Sequence, residues 1–322
     1  MRQQPVSISP GAWQEMFIAD REDITFSEAK MKKIGMVGIG LMGHGIASNI
    51  VKHGYPMVLF EHPGNQPVDA LREAGATTSP SLKEIAAAAD VIILCVTGTP
   101  EVEDVLFRKD GLLEGVKPGT IIIDCSTAIP SSTQRIAVEV EKLGAKFIDA
   151  PMTRTPKEAA EGRLNLTVGG EREVFETVKP LLQCYAENIV FAGPVGSGHQ
   201  LKLIHNFVSL GFSAVLAEAA ACAERAEIPS EVFLEVVGKG GGDSVVLNRF
   251  RPFLETRDRT GFRFYISNAL KDMNYYTTMA RESGSVFNTA ESVRRTYESA
   301  SKVSDPKSTV PDLVEILAKG PQ

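Results

Sequence analysis

The stretch from residue 196 to residue 227 constrains the fold most. It reads GSGHQLKLIHNFVSLGFSAVLAEAAACAERAE, contains no proline and is rich in Ala, Leu and Glu. These residue types favour helix, and the run is long enough for roughly eight turns with apolar side chains on nearly every side. The sequence therefore predicts one long, largely buried helix.

Four polar residues interrupt this apolar background. Lys202, His205, Asn206 and Ser209 stand at i, i+3, i+4 and i+7, which places them on one helix face. One interpretation is a set of polar groups satisfied by a neighbouring domain. The other interpretation rests on the lysine. Removing its ammonium from water lowers its pKa, so that it can exchange a proton near neutral pH. We predict Lys202 as a general acid/base, with Asn206 orienting it or a substrate hydroxyl.

Composition excludes several classes of function. The 322 residues are 43% hydrophobic and 23% charged, which is ordinary for a globular chain of two domains. A net charge of -6 offers no basic surface to a phosphate backbone, so we expect no nucleic-acid partner. No apolar run reaches membrane-spanning length, and we expect no membrane association. The four cysteines and five histidines show no metal or redox spacing. This pattern predicts buried thiols in a reducing, cytoplasmic compartment and no metal.

Residues 1–30 carry prolines and scattered acidic residues. A signal peptide needs a basic start and an apolar core, and a transit peptide avoids acids, so neither fits. We expect a loosely ordered N-terminal extension. A short docking helix near residues 13–18 and a true start at Met31 are the alternatives.

A glycine-rich turn follows the first predicted strand, Ile34 to Ile39. Gly38-x-Gly40-x-x-Gly43 leads into a helical pattern over Met42 to His53, with Leu41 and Met42 at the turn. Glycines at these positions permit a tight turn and a close approach of a pyrophosphate to a helix N-terminus, whose free N–H groups and dipole favour an anion. The motif predicts a dinucleotide cofactor.

The end of the second predicted strand bears on which dinucleotide is used. Met57 to Phe60 is followed by Glu61, eighteen residues after Gly43. A carboxylate there accepts hydrogen bonds from both ribose hydroxyls and repels a 2′-phosphate. We predict NAD as the preferred cofactor and NADP as possible, with His62 the neighbour most able to change that preference. The alternative is that Glu61 is a solvated loop charge.

Strands and helices alternate as far as residue 193, and helices dominate afterwards. Further strands are predicted over 89–96, 120–124, 147–150 and 164–168, and helices over 100–107, 243–253, 270–282, 286–299 and 310–317. The fold class is an α/β Rossmann domain (31–193) with a doubly wound, mostly parallel sheet, followed by an all-α C-terminal domain (194–322) joined by the long interdomain helix. Ligands of such sheets bind at the C-terminal strand ends, which here carry Val96, Thr97, Ser126 and Thr127.

Several stretches resemble the β-hydroxyacid dehydrogenase family, which includes 3-hydroxyisobutyrate dehydrogenase, tartronate semialdehyde (2-hydroxy-3-oxopropionate) reductase and, more distantly, 6-phosphogluconate dehydrogenase. They are GIGLMGHGIASNIVKHG, DCSTAIP, DAPMTRTPKEAAEGRLNLTVGG, GPVGSGHQLKLIHN and the shorter LKDMNYY, in the family's order and spanning almost everything after Met31. The resemblance implies a Rossmann domain, a helical domain and an active site between them.

The resemblance also implies roles for individual residues. Lys202 matches the catalytic lysine and Asn206 its partner, while Gly38, Gly40, Gly43 and Glu61 match the cofactor-binding positions. Ser126 and Thr127 match groups near the nicotinamide and substrate, and Lys271 falls in a Lys-Asp pair beside the cofactor. Because relatives bury such helices between subunits, we expect a homodimer or homotetramer.

The departures from the family concern the substrate. Most members have Ser-Gly-Gly where this chain has Thr153, Arg154 and Thr155, and an arginine there offers a bidentate fork to an anion. Arg154 and Ser209 resemble the sulfolactaldehyde reductase branch, whereas His205 resembles the K-x-x-H-N of 6-phosphogluconate dehydrogenase. Thr153, Arg154, Thr155, His205, Ser209 and Ser126 are therefore the predicted substrate-binding residues. Arg154 as a mere surface charge is the alternative.

The predicted function is reduction of a small anionic semialdehyde to its β-hydroxy acid, and the reverse, as in tartronate semialdehyde reductase. Within the family, 3-hydroxyisobutyrate dehydrogenase and sulfolactaldehyde reductase are the alternatives. From other classes, a non-catalytic dinucleotide-binding scaffold and an imine reductase stay open. The lysine and asparagine argue against the scaffold. Imine reductases usually hold another residue at the lysine position.

Overall fold

The computed structural model describes residues 32–320, so the predicted extension over residues 1–30 and the alternative start at Met31 lie outside the described part. The strands are β1 Ile34–Val37, β2 Met57–Phe60, β3 Thr77–Ser79, β4 Val91–Leu94, β5 Ile121–Asp124, β6 Lys146–Asp149, β7 Met152–Thr153, β8 Leu164–Gly169 and β9 Ala186–Gly193. The α-helices of the sheet region are α1 Leu41–Lys52, α2 Asp69–Glu73, α3 Leu82–Ala88, α4 Thr99–Phe107, α5 Pro130–Lys142, α6 Pro156–Ala160 and α7 Arg172–Leu182. Those that follow are α8 Ser197–Arg225, α9 Ser230–Gly238, α10 Val245–Thr256, α11 Ile266–Glu282, α12 Asn288–Val303 and α13 Leu313–Ala318.

The strands form one sheet in the order β3-β2-β1-β4-β5-β6-β8-β7, with β9 paired to β8. Pairing is parallel from β3 to β6, and β8 runs antiparallel to β6 and β7. The mostly parallel, doubly wound sheet and the helical C-terminal region are confirmed. The chain order reverses direction between β1 and β4, and this switch point opens the crevice in which such sheets bind ligands.

Alternate residues of the central strands pack on opposite faces of the sheet. Ile34, Met36 and Ile93 belong to one buried cluster, whereas Val37, Ile92 and Leu94 belong to another. A third cluster fills the helical region around Phe250, Phe253 and Tyr297. Strands β1, β2, β4 and β5 are buried on both sides, which explains why they appear in the sequence as continuous apolar runs.

The long helix α8 is less buried than predicted. Leu201, Ile204, Val208 and Val215 are 40 to 64% exposed and follow one side of the helix. The apolar sequence predicts burial, but the chain supplies no neighbour for this side within residues 32–320. By length and composition α8 is the one helix in the described range that would suffice to cross a bilayer, a weak indication because half of that window is buried inside the protein.

Two smaller expectations also need correction. Cys222 lies on α8 and is exposed, whereas Cys125 and Cys184 are buried and Cys95 is half-buried, so the prediction of four buried thiols was wrong for Cys222. Helix α10 begins at Val245 rather than at residue 243, because the Ser244 hydroxyl accepts a hydrogen bond from the Leu247 N–H and caps the helix there.

Candidate active site

The glycine turn after β1 has no room for side chains at two of its positions. Gly38 has φ +94°, and a Cβ there would lie 2.2 Å from the carbonyl oxygen of Cys95, at the end of β4. A Cβ at Gly43 would lie 1.9 Å from the Gly38 carbonyl oxygen. At Gly40 a Cβ would meet no atom within 4 Å, and no side chain caps α1 at this residue. Open space above uncapped N–H groups fits a pyrophosphate, so these residues suit a dinucleotide.

Glu61 at the end of β2 lies beside an arginine that the sequence did not single out. Thr78 Oγ1 donates to Glu61 Oε1 at 2.6 Å, and Arg72 Nη2 lies 3.6 Å from the same oxygen. All three side chains are solvent-accessible. His62 is exposed, and its Nδ1 accepts from the Gly64 N–H at 3.0 Å. The pair therefore offers a carboxylate for ribose hydroxyls and, next to it, a guanidinium that could receive a phosphate.

The loops after β4 and β5 are joined directly. The Val96 N–H donates to Ser126 Oγ at 3.0 Å, and the Ser126 N–H donates to Asp124 Oδ1 at 2.9 Å. Ser126 is 3% exposed, so its hydroxyl lies inside this junction rather than on its surface. Thr97 is exposed and Thr127 is half-buried. The structure thus brings the predicted residues together at the switch point, with Ser126 serving at least to connect the two loops.

The first turn of α8 is fixed by a carboxylate that sequence reasoning missed. Asp149 Oδ1 accepts from the Gly196 N–H at 2.7 Å, and Oδ2 accepts from the His199 N–H at 2.8 Å. A Cβ at Gly198 would lie 2.4 Å from the Thr167 carbonyl oxygen, so glycine lets the helix start against the sheet. Burial raises the pKa of Asp149, and His199 and these N–H donors oppose the rise. The one signal in the sequence was an aspartate at a strand end.

His199 extends this buried contact to the loop after β5. Its Nδ1 lies 2.8 Å from Thr133 Oγ1, and its Nε2 lies 3.2 Å from the Ser126 carbonyl oxygen. Asp124 Oδ2, buried and without a hydrogen-bond partner within residues 32–320, is 3.9 Å from the same Nε2. The first turn of α8 is therefore fixed to the sheet, and Lys202 follows His199 by three residues, within the next turn.

Lys202 and Asn206 lie where the helical spacing predicts, one turn apart on α8. Asn206 is buried, and its Nδ2 donates to Asp272 Oδ2 at 2.7 Å. Lys202 is half-buried and makes no ion pair within the described range 32–320. His205 is exposed, with Nδ1 at 3.1 Å from Asn206 Oδ1, and Ser209 is half-buried. The four predicted residues share a helix side, but they differ in access to solvent.

Helix α11 supplies the countercharge. Asp272 is 3% exposed, and Lys271 Nζ lies 2.9 Å from its Oδ1. Lys271 also donates to the Thr97 carbonyl oxygen at 2.8 Å, which connects the helical region to the loop after β4. The predicted Lys271 is therefore at the switch point, and Asp272, which the sequence reasoning did not assign, connects it to Asn206.

Burial lowers the pKa of the Lys202 ammonium from 10.5 to about 8; the Asp272 carboxylate opposes this change, and the Lys271 ammonium adds to it. Burial also lowers the pKa of His205, with Lys202 and Arg249 contributing and the hydrogen bond to Asn206 opposing. An amine with such a pKa exchanges protons near neutral pH, as a general acid/base must.

The segment 153–155 differs from the free arginine fork that the sequence predicts. Arg154 Nη1 contacts the Glu187 carboxylate on β9 and the Arg163 carbonyl oxygen. Its guanidinium is therefore already paired, because the neighbouring edge strand carries an acid. Arg154 has φ +84°, a backbone conformation that favours glycine.

The two threonines beside Arg154 also have partners. Thr155 donates its N–H to Glu158 Oε2 at 3.0 Å and its hydroxyl to the same oxygen, so it caps α6. Thr153 Oγ1 accepts from Asn165 Nδ2 at 3.2 Å. The Thr155 hydroxyl proton therefore has a partner, whereas the Thr153 hydroxyl proton has none within residues 32–320.

No group of three or more His, Cys, Asp or Glu side chains within residues 32–320 is arranged to hold a metal ion.

Comparison with known proteins gives two family models that together match almost all of the described range. The NAD binding domain of 6-phosphogluconate dehydrogenase matches residues 33–193. The NAD-binding model of NADP-dependent 3-hydroxyisobutyrate dehydrogenase matches residues 196–317.

Among curated relatives, an NAD-dependent L-serine dehydrogenase from Pseudomonas aeruginosa is 32% identical over 69% of this chain and 74% of that protein. A 2-(hydroxymethyl)glutarate dehydrogenase from Eubacterium barkeri is 31% identical over 72% of this chain and 77% of that protein. Among solved structures, a 3-hydroxyisobutyrate dehydrogenase from Salmonella typhimurium is 27% identical, with a TM-score of 0.77 over 88% of this chain and 99% of that one.

Proposed function

Because this chain belongs to the β-hydroxyacid dehydrogenase family, and is thus an oxidoreductase acting on CH–OH groups with a nicotinamide dinucleotide cofactor, we propose that it interconverts a small anionic semialdehyde and its β-hydroxy acid. Tartronate semialdehyde is the substrate to test first. The observation that carries the proposal is the half-buried Lys202 amine, with a pKa of about 8 and Asn206 fixed one turn away.

The cofactor, when bound, supplies or accepts the hydride. In the reducing direction, protonated Lys202 donates its proton to the aldehyde oxygen as negative charge develops there. In the oxidising direction, neutral Lys202 removes the hydroxyl proton. Asn206, one turn beyond Lys202 on α8, and the exposed His205, whose Nδ1 lies 3.1 Å from Asn206 Oδ1, orient the substrate oxygen. The Asp272 carboxylate raises the pKa of Lys202 against the effect of burial and so favours the protonated amine that reduction needs.

The substrate class follows from chemistry that the relatives' names share. L-Serine, 2-(hydroxymethyl)glutarate and 3-hydroxyisobutyrate each carry a primary alcohol one carbon away from the carbon that bears a carboxylate. Oxidation of that alcohol yields a semialdehyde in every case. We therefore extend the proposal to methylmalonate semialdehyde, the partner of 3-hydroxyisobutyrate, as the second substrate to test.

A carboxylate is favoured over a sulfonate by the state of Arg154. Its guanidinium is neutralised by Glu187, so an added sulfonate would have to displace that carboxylate before binding there. We assign the substrate's anionic end instead to Thr153, whose hydroxyl proton has no partner within residues 32–320. Sulfolactaldehyde reduction is the second candidate, and it requires Arg154 to leave Glu187.

Glu61 supports NAD as the preferred cofactor, since its carboxylate repels a 2′-phosphate. The exposed apolar side of α8 supports a homodimer or homotetramer, because Leu201, Ile204, Val208 and Val215 would be covered by a second copy. Two buried thiols, Cys125 and Cys184, and four cysteines none of which forms a disulfide support a reducing, cytoplasmic location.

The test is oxidation of NADH, and separately of NADPH, by the purified full-length protein. Tartronate, methylmalonate and succinate semialdehydes, sulfolactaldehyde and a cyclic imine are the substrates to compare. We expect turnover of a three- or four-carbon carboxylate semialdehyde with NADH. Turnover of the imine alone, or binding of NADH without reduction of any substrate, would contradict the proposal and favour imine reduction or a non-catalytic role.

A further inference from the structure

Two side chains of α11 hold the segment Thr97–Thr99, which follows β4. Lys271 Nζ donates to the Thr97 carbonyl oxygen at 2.8 Å, and the Thr99 N–H donates to Tyr275 Oη at 3.1 Å. Lys271 and Tyr275 are four residues apart, hence on one helix face, with the ammonium 5.1 Å from the tyrosine ring centroid. The segment is thus bound on both sides of Gly98.

The need for glycine at position 98 comes from this contact and not from the backbone conformation. Its φ of -175° is an extended conformation open to any residue. A Cβ at this position would, however, lie 2.5 Å from Tyr275 Oη, and the next nearest atoms, Lys271 Cδ and Tyr275 Cε2, would be 3.4 Å away. The tyrosine hydroxyl alone makes the site too small for alanine. Gly98 and Tyr275 therefore form a matched pair.

The segment lies at the switch point of the sheet. β1 and β4 are parallel neighbours, and the Cys95 carbonyl oxygen, just before this segment, is the atom that leaves no space for a side chain at Gly38. The Val96 N–H is bonded to Ser126 on the next loop. Whatever sets the path of residues 97–99 therefore also sets one wall of the crevice where a dinucleotide binds.

We propose that Tyr275 is a positioning residue for the cofactor: through its hydroxyl bond to the Thr99 N–H, in the space that Gly98 leaves, it holds the wall of the dinucleotide crevice against the helix that carries Asp272. Cofactor binding and the position of the Asn206 side chain are then linked through α11. Asp272, three residues before Tyr275 on that helix, accepts the hydrogen bond from Asn206. The inference rests on the assigned cofactor and not on the identity of the substrate.

The experiment is a double-mutant cycle in the full-length protein, with Tyr275→Phe, Gly98→Ala and both together. The readout is the dissociation constant for NADH, followed by fluorescence without substrate, alongside thermal unfolding. Loss of one hydrogen bond predicts binding roughly twofold to tenfold weaker for Tyr275→Phe. Gly98→Ala should weaken binding more, because the new methyl group displaces the hydroxyl. In the Tyr275→Phe background the same alanine should cost little, since its nearest neighbours are then 3.4 Å away.

Tyr276→Phe is the matched control, because Tyr276 stacks on Phe207 at 4.4 Å and its hydroxyl makes no hydrogen bond within residues 32–320. It should bind NADH as the wild type does. Additive effects of the two substitutions, or unchanged NADH affinity in a folded Tyr275→Phe protein, would overturn the inference. If the cycle is non-additive but no semialdehyde is reduced, the proposed function fails and this inference stands. If a semialdehyde is reduced but substitution of Tyr275 leaves the NADH affinity unchanged, the proposed function stands and this inference fails.

Discussion

Asn206 Nδ2 donates a hydrogen bond of 2.7 Å to Asp272 Oδ2, so a carboxylate on α11 fixes the residue one turn beyond Lys202 on α8. The same carboxylate is the group that raises the pKa of Lys202 against the effect of burial. One aspartate therefore both fixes Asn206 and opposes the effect of burial on the pKa of Lys202. It is itself buried, and its charge is balanced by Lys271.

Lys202→Ala should bind NADH as the wild type does but lose turnover by about 100- to 10,000-fold, the usual contribution of a positioned general acid. Steady-state kinetics and NADH titration together check this prediction. Lys239→Ala is the control, because Lys239 is an exposed lysine paired with Glu235. Near-normal turnover in the Lys202 variant would remove this residue from the mechanism.

The pH dependence should differ between the two directions of the reaction. With a pKa of about 8, Lys202 is protonated below that value and neutral above it. Reduction needs the proton, so its rate should fall as the pH rises through about 8. Oxidation needs the neutral amine and should rise over the same range. Profiles of kcat/KM in both directions test this expectation, and parallel profiles would contradict it.

Asp272→Asn should move both profiles towards lower pH. The substitution removes the carboxylate that stabilises the Lys202 ammonium, and its pKa should fall below about 8. The amide oxygen can still accept from Asn206, which limits the change in geometry. A profile that stays in place, or moves to higher pH, would show that Asp272 does not act on Lys202.

Glu61→Ser should shift the cofactor preference towards NADPH. The guanidinium of Arg72, 3.6 Å from the Glu61 carboxylate, then becomes available to a 2′-phosphate. A charge-assisted hydrogen bond is worth about 1.5–3 kcal/mol, so the ratio of kcat/KM values for the two cofactors should change by at least about tenfold. Arg72→Ala added to Glu61→Ser should abolish the gain. If the gain persists, another residue binds the phosphate.

Arg154→Gly should leave kcat/KM for a carboxylate semialdehyde within about threefold of the wild type, because the guanidinium already binds Glu187 and glycine suits the φ of +84°. Glu187→Gln should instead free the arginine and improve turnover of sulfolactaldehyde. A large loss of carboxylate turnover in Arg154→Gly would restore the arginine as a direct substrate ligand.

The sequence predicts those features that depend on local patterns. The glycine turn, the apolar strands and the i, i+3, i+4 spacing of Lys202, His205 and Asn206 each lie within a few residues of chain, and the elements they predict are present. Strands β3 and β9 escaped prediction. β3 consists of three polar residues, and β9, although it contains the apolar run 189–192, has only one fully buried residue, Ala186, and therefore lacks the pattern of a buried parallel strand.

The contacts that define the candidate site could not be predicted from the sequence for a different reason. Asp272 reaches Asn206 across 66 residues of chain, Tyr275 reaches Thr99 across 176, and no local spacing announces either pairing. The prediction that Arg154 offers a free fork considered the loop alone, whereas its partner Glu187 is supplied by an edge strand. The exposed side of α8 is the same kind of case, since composition cannot say which apolar side the fold leaves uncovered.

The cap that Asp149 places on α8 makes the position of Lys202 independent of most of the helix. The carboxylate at the end of β6 receives the N–H groups of Gly196 and His199, and Lys202 follows within one turn. The position of Lys202 relative to the sheet is therefore fixed by the first turn of α8 and does not depend on the far end of that helix. The later turns, which carry the exposed Val208 and Val215, can change sequence while the Lys202 amine keeps its place, so the proposed acid/base role and the proposed contact with a second copy can evolve separately along one helix.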